Sequence, residues 1–178
     1  MPPSKAVDLL KSCLNKRVEK LVRFSWWPAD EVLAQCGADV DLAFASTAGP
    51  LAIYFEGNIV LGLASDPALN SIVVWDERVQ NILEPDGELF QISASDKKYS
   101  IAYWDDIAGH CLLNIDVLRK TSMNEKESLL PSEVGLRMSF DNGGVLIASH
   151  GLHDGSDDFS ILQESQALLY DVGYFPLK

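Results

Sequence analysis

Side chains able to do chemistry are concentrated in one stretch, His150-Gly-Leu-His153-Asp154-Gly-Ser-Asp157-Asp158. Two imidazoles and three carboxylates are ligand types a divalent metal takes, and His150, His153 and Asp154 are the candidate ligands. Zinc needs three or four converging donors, and neither the spacing of the two histidines nor a turn enforces convergence. A calcium loop fits less well. Started at Asp154, the EF-hand pattern puts Phe159 where the turn glycine belongs and Ser165 where the bidentate Glu belongs. The competing reading is structural: Gly151 and Gly155 allow a tight loop, and Asp154, Ser156 and Asp157 bond to its backbone. Elsewhere the chain has no GxSxG elbow, no P-loop, no GxGxxG and no HExxH. Cys13, Cys36 and Cys111 lack the CxxC spacing of redox and metal sites, so reduced thiols and no cofactor are expected.

Those residues need a scaffold, and the sequence supplies a sheet. Leu136, Met138 and Phe140 alternate on one face of Val134 to Phe140, Asp141-Asn142-Gly143-Gly144 makes a corner, and a second run follows. Pro50 to Asp66 repeats this pattern at an offset of 85, with identities Leu51 to Leu136, Phe55 to Phe140, Val60 to Val145 and Leu61 to Leu146. The preceding runs match at an offset of 93, with Val18, Val22 and Phe24 laid on Cys111, Ile115 and Val117, so that Cys111, Leu113, Ile115 and Val117 alternate with Leu112, Asn114 and Asp116. In the first run Val18, Val22, Phe24 and Trp26 share a face, and Lys20-Leu21 break the alternation. Each unit then reads as a strand, a connection and a meander, the connection holding the Pro28 helix in the first unit and being an exposed polar loop over 121–132 in the second. Alternation with a polar face indicates antiparallel sheet.

The expected fold is therefore α+β: one domain, 1–178, mainly antiparallel, with short helices and two similar halves related by a pseudo-twofold. The halves are expected at about 4–75 and about 100–161, with 76–99 crossing between them. Helices are expected from Ser4, as N-cap, to Leu14, from Pro28 to Cys36, and near Gln163 to Tyr170, with Val172 to Leu177 a tail. Residues 89–94 and 99–104 read as a strand pair or a linker hairpin.

Composition bounds the partners. An apolar fraction of 47% with 22% charged residues excludes a disordered chain. Fourteen Lys and Arg against 26 Asp and Glu give −12, which argues against nucleic acid as a direct partner, because phosphate binding draws on surplus basic side chains. Residues 1 to 23 carry +4, leaving −16 for the remainder. No apolar run spans a bilayer and no secretory signal is present, so a cytoplasmic location and no membrane contact are expected.

The runs RVEKLVRFSWW, TAGPLAIYFEGNIVLGLASDPALNSIVVW and VGLRMSFDNGGVLIASHGLHDGSDDFSI resemble small bacterial immunity-type proteins encoded beside polymorphic or secretion-system toxins. The resemblance implies a non-enzymatic inhibitor that neutralises a cognate toxin by stoichiometric complex formation, a basic nuclease being the obvious class. Partner-binding candidates are the turn carboxylates Asp66, Asp76, Glu77, Glu84, Asp86, Asp105, Asp106, Asp154, Asp157 and Asp158, with Trp27 and Trp104 as anchors. The alternatives are a metal-dependent or hydrolytic enzyme using the His150 to Asp158 loop, and a self-association module.

Overall fold

The computed structural model describes residues 1–36, 42–83, 89–121, 129, 132–152, 158–167 and 171–177, without the side chains of 33–36. Among these residues ten strands form two five-stranded antiparallel sheets. The first contains β1 (Val18–Ser25), β2 (Leu51–Phe55), β3 (Ile59–Asp66), β4 (Ser71–Asp76) and β5 (Phe90–Ser93), in the order β4-β3-β2-β1-β5. The second contains β6 (Leu112–Lys120), β7 (Glu133–Phe140), β8 (Val145–His150), β9 (Phe159–Leu162) and β10 (Val172–Pro176), in the order β10-β6-β7-β8-β9. Each is a four-strand meander whose fifth strand returns to pair with the first. The first unit thus extends to β5, inside the stretch expected as a crossover, and the expected C-terminal tail is an edge strand.

The sheets stack on one shared core. Leu21, Leu51, Ile53, Phe55, Leu61 and Leu63 from the first sheet meet Ile115, Leu136, Met138, Phe140, Leu146 and Ala148 from the second. Each fully buried Leu, Ile or Phe contributes roughly 1.5–3 kcal/mol, and a lone sheet would leave this whole face wet. Smaller clusters cover the outer faces, around Phe24, Val60, Trp75 and Leu83 on the first sheet and around Val134, Ile147 and Leu162 on the second. Gly62 is required on the former: a Cβ there would lie 2.2 Å from the Trp75 indole.

Corner chemistry sets the register. Gly57 and Asn58 both take positive φ between β2 and β3, at 80° and 66°, while Gly143 does so between β7 and β8, at 81°. The Asn142 side chain accepts the Gly144 N–H at 2.9 Å. Lys20-Leu21 does mark a bulge, because the β1–β2 register shifts between Val18 and Lys20. The consequence corrects the expected face: Val18 and Leu21 point into the shared core, Val22 and Phe24 to the outer cluster. A matching shift lies between Leu112 and Asn114, so Leu112 is buried and Leu113 exposed, the reverse of the expected alternation. Val18 pairs with Phe55 and Leu112 with Phe140, which sets the offset of the first strands at 94 rather than 93.

The described residues also form six short helices: α1 (Val7–Ser12), α2 (Ala29–Cys36), α3 (Ala43–Ser46), α4 (Glu77–Gln80), α5 (Ala102–Asp105) and α6 (Glu164–Ala167). Ser4 is not the cap of α1. Pro2-Pro3 fixes a 3-10 turn at Pro3–Lys5, and α1 starts after Ala6 with no side-chain cap. Residues 102–105 are helical rather than a strand, and the connection expected over 121–132 lies largely outside the described residues.

Candidate protein-interaction surface

The end of β1 explains why its two tryptophans are uncovered. The strand stops at Ser25, whose Oγ accepts the Trp27 N–H at 3.2 Å, and Pro28 opens α2 by accepting the N–H groups of Glu31 and Val32. That turn leaves Trp26 61% exposed and Trp27 50% exposed. Ser25 pairs with Phe90 on β5, which is itself 46% exposed, so three aromatic rings flank one end of the first sheet. Large apolar groups gathered at a surface in this way mark contact sites more often than a scattered exposed Leu does.

The backbone beside them is open. Ala94 donates to the Leu21 carbonyl at 3.1 Å, so by alternation Ile92 and Phe90 bond toward β1, while Gln91 and Ser93 face outward. The Ser93 carbonyl takes the Asp96 N–H at 3.1 Å. Nearby, Lys98 and the Tyr99 hydroxyl each bond Asp30 at 2.9 Å and hold its carboxyl below the usual range. Glu31 is exposed beside them.

The predicted acidic residues do not form one patch. Asp66 caps the turn Pro67–Leu69 and Asp76 caps α4, and they sit at opposite ends of the β3–β4 ladder, about 16 Å apart at strand rise. Asp105 is half-buried, while Asp106 and Asp158 are exposed. The Asp106 carbonyl accepts the Asn142 amide at the β7–β8 corner, at 2.7 Å. Glu84, Asp86, Asp154 and Asp157 lie outside the described residues.

Two candidates belong to the interior instead. Trp104 is 1% exposed, edge-on to Tyr103 at 4.9 Å and close to Phe44, so it anchors core and not partner. Glu77 is 8% exposed, with its carboxylate taking the Trp75 indole N–H and, at 2.7 Å, the Leu83 N–H; it shapes the loop after α4.

His150 too is interior, at 1% exposure, with Nδ1 bonded to the Ser65 hydroxyl and Nε2 3.2 Å from Asn70 Oδ1. Both ring nitrogens are engaged, so a metal at His150 would first have to displace Ser65 or Asn70. Serine on Nδ1 and amide on Nε2 can hold a tautomer, and this use across two sheets is structural. His153 lies outside the described residues, and among the described ones no three His, Cys, Asp or Glu side chains group as a metal site. Sequence reasoning missed Phe90 and the open edge of β5, although the alternation in Phe90-Gln-Ile-Ser93 carried the signal. It also missed Arg23 inside the core, because flanking apolar residues mark a strand without saying which face a bulge will bury.

No model of a known protein family matches the sequence, and no curated protein or solved structure matches it. Among the described residues no helix is long and apolar enough to cross a membrane.

Proposed function

We propose that this chain is a non-enzymatic binding protein of the cytoplasm that neutralises a basic protein toxin by forming a stoichiometric complex. The observation that carries this reading is the pair Trp26 and Trp27, at least half exposed beside Phe90 at the end of the first sheet. Leaving two indoles in water is unfavourable for a free protein, and buried Trp is a frequent source of hot-spot energy in complexes. The net charge of −12 supports a basic partner, since long-range attraction accelerates encounter with a chain of opposite sign.

The test is titration of the protein encoded beside this chain, by calorimetry and by size-exclusion with light scattering. A one-to-one complex that abolishes the partner's toxicity is expected, and Trp26→Ala with Trp27→Ala should weaken it by at least tenfold. Absence of a complex, or neutralisation at substoichiometric amounts by turnover, would overturn the reading.

A further inference from the structure

Each of the four sheet edges offers backbone groups to another chain unless something blunts it. Three are blunted. On β4, Val74 bonds Met1 both ways, its N–H to the Met1 carbonyl at 2.8 Å and its carbonyl to the terminal ammonium at 3.0 Å. All four residues of β9 are buried. On β10, Leu177 donates to the Ile115 carbonyl, so by alternation Pro176 occupies an outward-facing position and has no N–H to give.

Among the described residues none of these devices lies on the edge of β5. Gln91 is exposed with both backbone groups turned outward, and the Ser93 N–H joins them. Phe90, Trp26 and Trp27 flank that edge with uncovered rings. Two donors and an acceptor at strand spacing match the groups of an extended peptide backbone, with aromatic rings placed to receive side chains beside it. The charge selects among extended chains. A second copy also carrying −12 is repelled, Glu31 is exposed at the start of the adjacent helix, and the Asp30–Lys98 pair is neutral.

From this we infer that β5 takes a sixth strand: a short extended segment of a basic partner, alternating cationic and aliphatic residues, adds to the first sheet along Gln91 and Ser93. This inference rests on the proposed binding function and specifies where and how the partner docks.

The experiment uses the full chain and a terminally blocked Arg-Val-Arg-Val-Arg-Val peptide at millimolar concentration, followed by amide exchange and tryptophan fluorescence. Slowing of exchange at Gln91 and Ser93 by about tenfold is expected, with a change in indole emission. The same peptide N-methylated at alternate residues, and a Glu-Val peptide of equal length, should give neither. Gln91→Pro removes an outward N–H that no strand of the sheet uses, so it should abolish the protection and leave the melting temperature within about 2 °C. Ile92→Pro, whose N–H faces β1, should unfold the sheet. Peptide binding without protection at Gln91 and Ser93, no binding of the basic peptide, or protection that grows with protein concentration alone would overturn the inference. Because no cognate partner enters this assay, its failure leaves the binding function to the titration described above, and failure of that titration leaves the edge assay readable.

Discussion

The Ser65 hydroxyl bonds Nδ1 of His150, and these two residues hold the same position in their respective sheets. Ser65 lies one residue before the end of β3 and His150 ends β8, at the offset of 85 that also relates Leu51 to Leu136 and Phe55 to Phe140. A second self-pairing occurs where the first strands begin: Arg17 bridges Cys111, residues equivalent at the offset of 94. The bonds around it are matched as well, Glu56 donating to the Arg17 carbonyl at 2.9 Å and Asp141 to the Cys111 carbonyl at 3.0 Å. Antiparallel contact between equivalent residues is what a local twofold would produce, and we propose that relation for the two sheets.

Replacing His150 tests how much that contact holds. Nε2–H donating to Asn70 Oδ1 and Ser65 O–H donating to Nδ1 satisfies the ring on both sides. His150→Ala leaves a cavity and takes the ring from two half-buried polar groups, so a loss of about 2–4 kcal/mol is expected from urea unfolding. A loss under about 1 kcal/mol would show that the sheets do not depend on this junction.

Arg23 runs the other way. It is fully buried, with Nη2 donating to the Phe159 carbonyl at 3.2 Å and the guanidinium 4.7 Å from the Phe159 ring, yet Nε and Nη1 have no partner among the described residues. Burial pushes its ionisation down to about 9, so the charged form costs folding free energy. Since the folded state holds this proton less tightly than the unfolded chain, stability from this group rises with pH above about 9 and is lowest, and flat, below it. Arg23→Met should therefore stabilise at pH 7 by about 1–3 kcal/mol and remove that alkaline rise. Chemical unfolding at pH 7 and pH 10 checks both, and a destabilised Met variant would contradict the account.

Much of this framework was legible in the chain and some was not, for physical reasons. Alternation and the Gly-Asn and Asn-Gly corners specify the hairpins, because a period of two and a positive φ are local requirements. The bulge at Val18/Lys20 was visible as broken alternation, whereas that at Leu112/Asn114 lay inside a run read as unbroken; which face follows a bulge depends on the partner strand, and so Val22, Phe24 and Leu113 were assigned to the wrong sides. Trp27 was readable as a candidate anchor, but not whether the proline-started helix after it would cover or expose it, and Trp104 required knowing that 102–105 is helical and covered by Phe44 and Tyr103. Pairing of β5 and β10 with the first strands is long-range and has no local signature.

Cys13 gives a labelling test of the core. It is fully buried, and burial pushes its thiol up to about 12, so the reactive thiolate is absent at neutral and mildly alkaline pH. Cys111 is only partly buried. In a Cys36→Ala background at pH 8, iodoacetamide should label Cys111 and spare Cys13 until urea unfolds the chain, as read by peptide mass spectrometry. Native labelling of Cys13 at the rate of Cys111 would mean that the contact between α1 and the shared core opens readily.

Charge and aromatic anchor should separate kinetically in the complex. Exposed carboxylates act at long range and singly contribute about 0–1 kcal/mol, so no one of them should abolish binding. Asp66 and Asp76 are also caps, and reversal would cost helix and turn stability along with charge; Asn preserves the cap and removes the charge. Asp66→Asn, Asp76→Asn, Asp105→Lys and Asp106→Lys together move the net charge from −12 to −6. With the neighbour-encoded basic protein as partner, stopped-flow association at low salt should slow by about tenfold, and the slope of rate against ionic strength should flatten. Dissociation should barely change. Trp27→Ala should do the opposite, leaving association intact and speeding dissociation by about tenfold or more, because a packed indole resists separation without guiding approach. An association rate indifferent to salt in the parent chain would remove the electrostatic half of the account. Unchanged dissociation after loss of both Trp26 and Trp27 would move the anchor away from the end of β1.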